Sequence, residues 1–253
     1  MCRSRACACL SVVTTVMPLL LAACDGGISA ETRDKWKRFS PAQNYDIALH
    51  DESADARRRA IVRIADSGRA TEEDAFRVLD VAARTDPSSQ VRCAAIRALK
   101  TYWDPRPVDT LLAILNPKGR SGEALPATPE VRWDATEALA RLSENAILPD
   151  PLRDEATDVF VTLLLHDTSR DVRMAAARGL GALPDDRALR ALIASLRHKD
   201  FGIAYEAHGA LVRLTGQTFE YDADAWEAWL KTAANPFDRT AAPASQPATT
   251  RSE

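Results

Sequence analysis

The stretch Ser-Arg-Asp-Val-Arg-Met-Ala-Ala-Ala-Arg-Gly-Leu, residues 169–180, decides the fold of this chain. Read as a helix, it places Ser169 at the N-cap and Asp171 in the first turn, where free amides and the helix dipole favour an oxygen and a negative charge. Val172, Ala176 and Leu180 recur every four residues and form one narrow apolar stripe. The middle of that stripe is small. Such a helix cannot build a core alone, but it lets a neighbouring helix approach closely.

The same pattern, roughly acid-Val-Arg-x-x-Ala-x-x-x-Leu, occurs four more times. The copies are Asp55-Ala56-Arg57 with Ala60 and Ile64, Gln90-Val91-Arg92 with Ala95 and Leu99, and Glu130-Val131-Arg132 with Ala135 and Leu139. A degenerate fifth copy, Gly202-Ile203-Ala204 with Ala207 and Leu211, lacks both the acid and the arginine. Successive third positions are spaced 35, 40, 41 and 31 residues apart, the range of helical-pair solenoids. A preceding helix is predicted in each unit, over about 42–50, 72–84, 107–115, 151–166 and 186–198. Pro105, Pro107, Pro149, Pro151 and Pro184 punctuate the junctions between pairs. Each pair exposes two apolar faces and buries them only by stacking on its neighbours, which takes three or more units.

These residues, from about Pro41 to Gly216, resemble HEAT repeats, in particular the short bacterial type also found in phycobilin lyases. The resemblance implies a right-handed α-solenoid of about five antiparallel helix pairs, with second helices lining the concave side. The expected fold class is all-α, with pairs over 41–68, 70–102, 105–144, 149–183 and 185–216. Trp226, Trp229 and Leu230 share one face of a short helix over 222–234, read as the carboxy-terminal cap. Asn116–Thr128, with two glycines and two prolines, interrupts the third pair as a long loop. Residues 235–253, rich in Ala, Pro, Ser and Thr, are expected to form a disordered tail.

The amino terminus carries Arg3 and Arg5, then an apolar run of 14 residues from Leu10 to Ala23. That run is shorter than the ~20 residues of a membrane-spanning helix and fits a secretory signal over 1–23. Leu21-Ala22-Ala23-Cys24 is similar to the bacterial lipobox, which implies cleavage before Cys24 and acylation of its thiol and new amino group. Several acyl chains anchor stably where one would be marginal. The expectation is an exported protein tethered to a bacterial membrane through residues 24–40. Asp25 resembles an inner-membrane retention signal, but sorting rules differ between bacterial groups. The periplasmic face and the cell surface therefore both stay open.

Composition narrows the function classes. The formal charge of −3 rests on 33 basic and 36 acidic residues, which gives no electrostatic footprint for nucleic acid. Arg57-Arg58-Arg59 is read as a solvated helix face. Of five cysteines, Cys2, Cys7 and Cys9 precede the cleavage point and Cys24 sits at it. Cys93 is left as a lone thiol, read as a small helix residue rather than a nucleophile. His50, His166, His198 and His208 are scattered, and none pairs at metal-ligand spacing. There is no phosphate loop, nucleophile elbow or Cys-x-x-Cys pair in the mature chain. No enzyme, cofactor or metal is expected.

A binding surface can be argued from the helical wheel. At about 100° per residue, the position two beyond the motif valine falls almost opposite the stripe. It holds Arg58, Cys93, Trp133, Met174 and Tyr205, and the position beside it holds Val62, Arg97, Glu137, Arg178 and Gly209. Aromatics and arginine in one column are the composition of an interface hot spot. Trp133, Met174, Tyr205, Arg97, Arg178 and Glu137 are therefore the candidate residues for an unidentified protein partner on the concave face. The motif arginines Arg57, Arg92, Arg132 and Arg173 are read as staples; the resemblance has them reaching acids of adjacent repeats such as Asp55, Glu130 and Asp171. The expected function is a membrane-anchored scaffold for protein–protein interaction in the cell envelope. A lyase or chaperone-like enzyme on the same repeats, or a structural lipoprotein with no specific partner, are the alternatives.

Overall fold

The computed structural model describes residues 40–116 and 124–239. The signal segment, Cys24, most of the tether, residues 117–123 of the long loop and residues 240–253 lie outside the described residues. Met1–Gln43 and Asn44–Glu253 are two separate units. The described part of the first is the opening turn of one helix, where the Gln43 amide donates to the Ser40 hydroxyl at 3.3 Å.

Eleven helices and no strand occur among the described residues. They are α1 (Pro41–His50), α2 (Ala54–Ala65), α3 (Glu73–Thr85), α4 (Ser89–Leu99), α5 (Pro107–Leu115) and α6 (Pro129–Glu144). Then follow α7 (Asp150–His166), α8 (Arg170–Leu180), α9 (Asp186–Leu196), α10 (Phe201–Thr215) and α11 (Ala223–Thr232). Within the second unit they form two rows. The second helices α2, α4, α6, α8 and α10 each stack on the next, and so do the first helices α3, α5, α7, α9 and α11. Cross-row contacts α3–α4, α5–α6, α7–α8 and α9–α10 close the pairs. This is an all-α solenoid.

The motif residues are where the periodicity puts them. Ala60, Ala95, Ala135, Ala176 and Ala207 are all fully buried, as are Leu99, Leu139, Leu180 and Leu211. The buried surface is wider than the three-residue stripe, because each second helix also packs on helices ahead of it and behind it. Ile61, Ile96, Thr136 and Ala177 are buried on one flank, and Ala98, Ala138 and Ala210 on the other. Small residues permit this approach. At Gly179 a Cβ would stand 2.5 Å from the Phe160 ring of α7, so the glycine is what admits the ring.

Helix ends explain the junctions. Ser169 does occupy the N-cap of α8, but its side chain makes no capping bond; the Ser169 amide instead donates to Asp167 at 2.8 Å. The same turn recurs before α4, where the Ser88 amide donates to Asp86 at 2.8 Å. α10 ends at Gly216 with φ +71°, a left-handed conformation in which glycine carries no Cβ penalty.

The motif arginines are staples with other partners than the motif acids. Arg57 grips Asp86 of the next pair through Nε at 2.7 Å and Nη2 at 3.0 Å, and Arg132 grips Asp167 in the same way at 2.7 and 2.9 Å. Each aspartate thus ties a turn to the preceding repeat. Arg92 has no aspartate in that place; its guanidinium donates to the carbonyls of Ala83, Pro126 and Leu125 at 2.9, 3.0 and 3.1 Å. The end of the long loop therefore stands in for a carboxylate. Arg173 donates to the Leu164 carbonyl at 2.7 Å. Asp55 pairs within its own helix with Arg58 and Arg59, and Asp171 lies 3.6 Å from Arg170.

The carboxy-terminal helix closes the first-helix row. α11 packs on α9, Trp226 is fully buried and donates from Nε1 to the Glu220 carbonyl at 3.1 Å, and Trp226 and Trp229 meet edge-to-face at 5.9 Å. Residues 235–238 form a turn, and Phe237 packs against the core.

Two outcomes test the staples. Arg57→Ala leaves the buried Asp86 carboxylate without its cation and should lower unfolding free energy by about 3–5 kcal/mol in urea titration. Arg170→Ala, on a half-exposed pair, should leave it nearly unchanged. Burial opposes the charge on Asp167, yet the Arg132 guanidinium and the Ser169 amide hold its carboxyl below the ordinary 3.8. Its stabilisation is present above that value and is lost as pH falls through the lower folded one. The stability gap between wild type and Asp167→Asn should accordingly be constant near neutrality and close in acid.

Candidate functional site

The open side of the second-helix row carries the candidate column. Trp133 of α6 is 38% exposed and Tyr205 of α10 is 58% exposed, while Met174 of α8 between them is half-buried against the core. Cys93, in the same column on α4, is buried. The column is thus broken into separate large side chains, with the two aromatics at pairs three and five.

Beside the aromatics runs a ladder of ion pairs that joins four second helices. Arg97 of α4 donates to Asp134 of α6 at 3.0 Å, and Lys100 of α4 reaches Glu137 of α6 at 3.4 Å. Arg178 of α8 pairs with Glu137 and, at 3.5 Å, with Glu206 of α10. Arg97, Glu137 and Arg178 are therefore engaged across repeats, with Arg97 the most exposed of the three. Asp134, Lys100 and Glu206 complete the ladder and escape a reading of single columns. For Asp134 and Glu206 the signal is the pairing of the residue three beyond one copy's motif valine (isoleucine in the fifth) with the residue six beyond that of the copy before, while Lys100, nine beyond its own valine, falls outside that rule.

Between α2 and α4 the same face sinks into a groove of about 570 Å³ whose walls include Arg58, Val62, Asp66, Cys93, Arg97 and Thr101. Its arginines carry Asp55 and Asp134 as counter-ions, and Val62, Ala65, Ala94 and Ala98 contribute apolar lining. Burial, together with the Asp134 carboxylate, pushes the Cys93 thiol up to about 12. A thiol held neutral is a poor nucleophile. The groove offers shape and charge rather than a reacting group.

The histidines stand apart from one another. His50 meets Asp46 at 3.0 Å, and His198 Nδ1 accepts the Asp200 amide at 3.0 Å. His208 sits mid-helix rather than at a terminus; burial lowers its pKa against the opposing pull of Glu220. Among the described residues no three His, Cys, Asp or Glu side chains are placed to hold a metal ion. Among them, too, no helix is long and apolar enough to cross a membrane. The arrangement presents two exposed aromatic rings beside a ladder of paired charges.

Comparison with known proteins agrees with the repeat fold. The HEAT-repeat family matches residues 43–121 and 157–245, more than half of the chain. The structure is similar to a crystal structure of an engineered protein, at 21% identity and TM-score 0.52 over 76% of this chain and 90% of that one. It is also similar to a designed armadillo repeat protein, at 16% identity and TM-score 0.53 over 79% and 96%. These likenesses are of fold. No curated protein matches the chain.

If Cys93 is as inert as its surroundings dictate, the folded protein will leave it unmodified by a thiol reagent at pH 8, and denaturant will make it react at the rate of a free thiol. Fast labelling in the native state would contradict that placement.

Proposed function

Because the chain belongs to the HEAT-repeat family, we propose that it is a protein-binding scaffold that takes its partner on the concave face of the second-helix row. The observation that carries this reading is the exposure of Trp133 and Tyr205 on a face where Arg97, Lys100, Glu137, Arg178 and Glu206 are paired across repeats. Neighbouring repeats consume their arginines and acids in holding the array together. The large aromatics are left over, and leaving them in water is unfavourable unless something covers them.

Met174 lies between the two aromatics along the row and adds an adaptable apolar contact. Arg97 and Arg178 rim the surface and give it selectivity for partners that complement charge, with Glu137 as their shared counter-ion. The repeat-scaffold fold fits a non-enzyme, and the proposal involves no cofactor and no nucleic acid.

The proposal places the scaffold at a bacterial membrane, exported by residues 1–23 and held by an acylated Cys24. The sequence Leu21-Ala22-Ala23-Cys24 supports this. A partner bound at Trp133 and Tyr205 would thereby be kept at the envelope.

Replacing Trp133 and Tyr205 together by alanine should abolish capture of the partner by the tagged protein and leave the melting temperature almost unchanged. A large fall in melting temperature would show that they serve the core instead. Mass spectrometry of the mature amino terminus should find a lipid-modified Cys24, and an unmodified Cys24 or a start elsewhere would refute the anchor. A bound chromophore in the absorbance of the purified protein would favour the lyase-like alternative.

A further inference from the structure

On the first-helix row, α9 and α11 enclose a cleft of about 350 Å³, within the size range of small-molecule sites. Two short stripes line it. Arg190, Ile193 and Ala194 lie at i, i+3 and i+4 of α9, and Glu227, Leu230 and Lys231 lie at i, i+3 and i+4 of α11. Each helix therefore brings aliphatic side chain and a cation to the same cleft. Ile193 is buried, Leu230 is half-buried and Ala194 is exposed.

The charges of this cleft do not balance. Glu227, the one acid that lines it, already accepts from Arg197 at 2.7 Å, and Arg197 also holds Asp224 of the same helix. Arg187, one turn before Arg190, is taken by Asp154, Asp158 and Asp185. Arg190 and Lys231 are exposed and make no ion pair or hydrogen bond among the described residues. That sets Arg190 apart. Every other arginine within a described helix donates to a carboxylate, amide or carbonyl oxygen. Two uncompensated cations on one cleft raise its potential, and an anion is what relieves it.

The larger groove between α2 and α4 has no such excess, because Arg58 and Arg97 hold Asp55 and Asp134. The aliphatic lining between α9 and α11 also decides the ligand class. A small hydrated anion would leave Ile193, Ala194 and Leu230 uncovered, whereas an anion with an apolar chain covers them. A carboxylate suits the head, since the guanidinium fork offers it two parallel donors.

We propose that this cleft binds a small aliphatic carboxylate, its chain along Ile193, Ala194 and Leu230 and its head held by Arg190 and Lys231. The site is separate from the partner face: α9 and α11 belong to the first-helix row, and Trp133, Met174 and Tyr205 to second helices. Its occupancy neither needs nor blocks the partner.

The test is isothermal titration of the full chain with octanoate below its micellar concentration, with acetate as the head alone and octanol as the tail alone. Octanoate should bind at a single site and exceed both controls by roughly ten-fold or more. Arg190→Gln and Lys231→Gln should each weaken it roughly ten-fold, the loss of one charge-assisted hydrogen bond. Both side chains are exposed and unpaired, so the melting temperature should stay where it is. Ala194→Phe, at an exposed position, should fill the cleft and remove binding with both cations still present. Absence of octanoate binding would overturn the proposal. So would octanol binding as tightly, which reports apolar partition only, or acetate binding as tightly, which reports a bare anion site. Affinity that survives Arg190→Gln and Lys231→Gln would overturn it as well.

Discussion

The stacking of second helices on one another is the constraint from which the rest of the structure follows. Five helices in a row must approach closely on both flanks, and the alanine in the middle of each stripe makes that possible. Ala60, Ala95, Ala135, Ala176 and Ala207 are all without solvent exposure. A larger residue there would push the rows apart and open cavities beside it, and a core cannot tolerate that cheaply. Gly179 shows the same demand between rows, where only the absence of a Cβ admits the Phe160 ring. Each pair buries its faces only against its neighbours, so the last helix of the row, α10, is left with Phe201 and Tyr205 exposed.

The repeat itself was legible because its signal is local: spacing, small residues and proline punctuation all lie within one unit. Helices α3, α5, α7 and α9 begin within one residue of where periodicity places them. What escaped the sequence is what depends on two units at once. The motif arginines were recognisable as staples, but their partners were not, since Asp86 and Asp167 sit in turns outside the motif. The substitution of loop carbonyls for an aspartate at Arg92 has no signature in sequence at all. The candidate face was legible only in part. The same helical-wheel angle that puts Trp133 and Tyr205 in solvent also holds Cys93, which is buried, and Met174, which is half-buried, and the ladder through Asp134, Glu137 and Glu206 needed the register between helices.

That ladder gives the proposed binding face its character. An array of this kind spends most of its polar groups on its own cohesion, so the surface left for a partner is defined by the groups no repeat uses. Those groups are aromatic at pairs three and five, and at pair two they line a groove with arginines already carrying counter-ions. A partner that brings carboxylates must compete with Asp55 and Asp134, which trades affinity for selectivity. Cys93, the one cysteine among the described residues, is buried beside Asp134, and that burial pushes its thiol pKa up.

Photo-crosslinking in cells tests the binding face most directly. A photoreactive phenylalanine analogue would be placed at position 133 on the second-helix row, and in a separate strain at Val81, which is equally exposed on a first helix. The account predicts one dominant crosslinked protein from position 133, found in the membrane fraction, and none from position 81. Equal crosslinking from both positions, or none from 133, would contradict it.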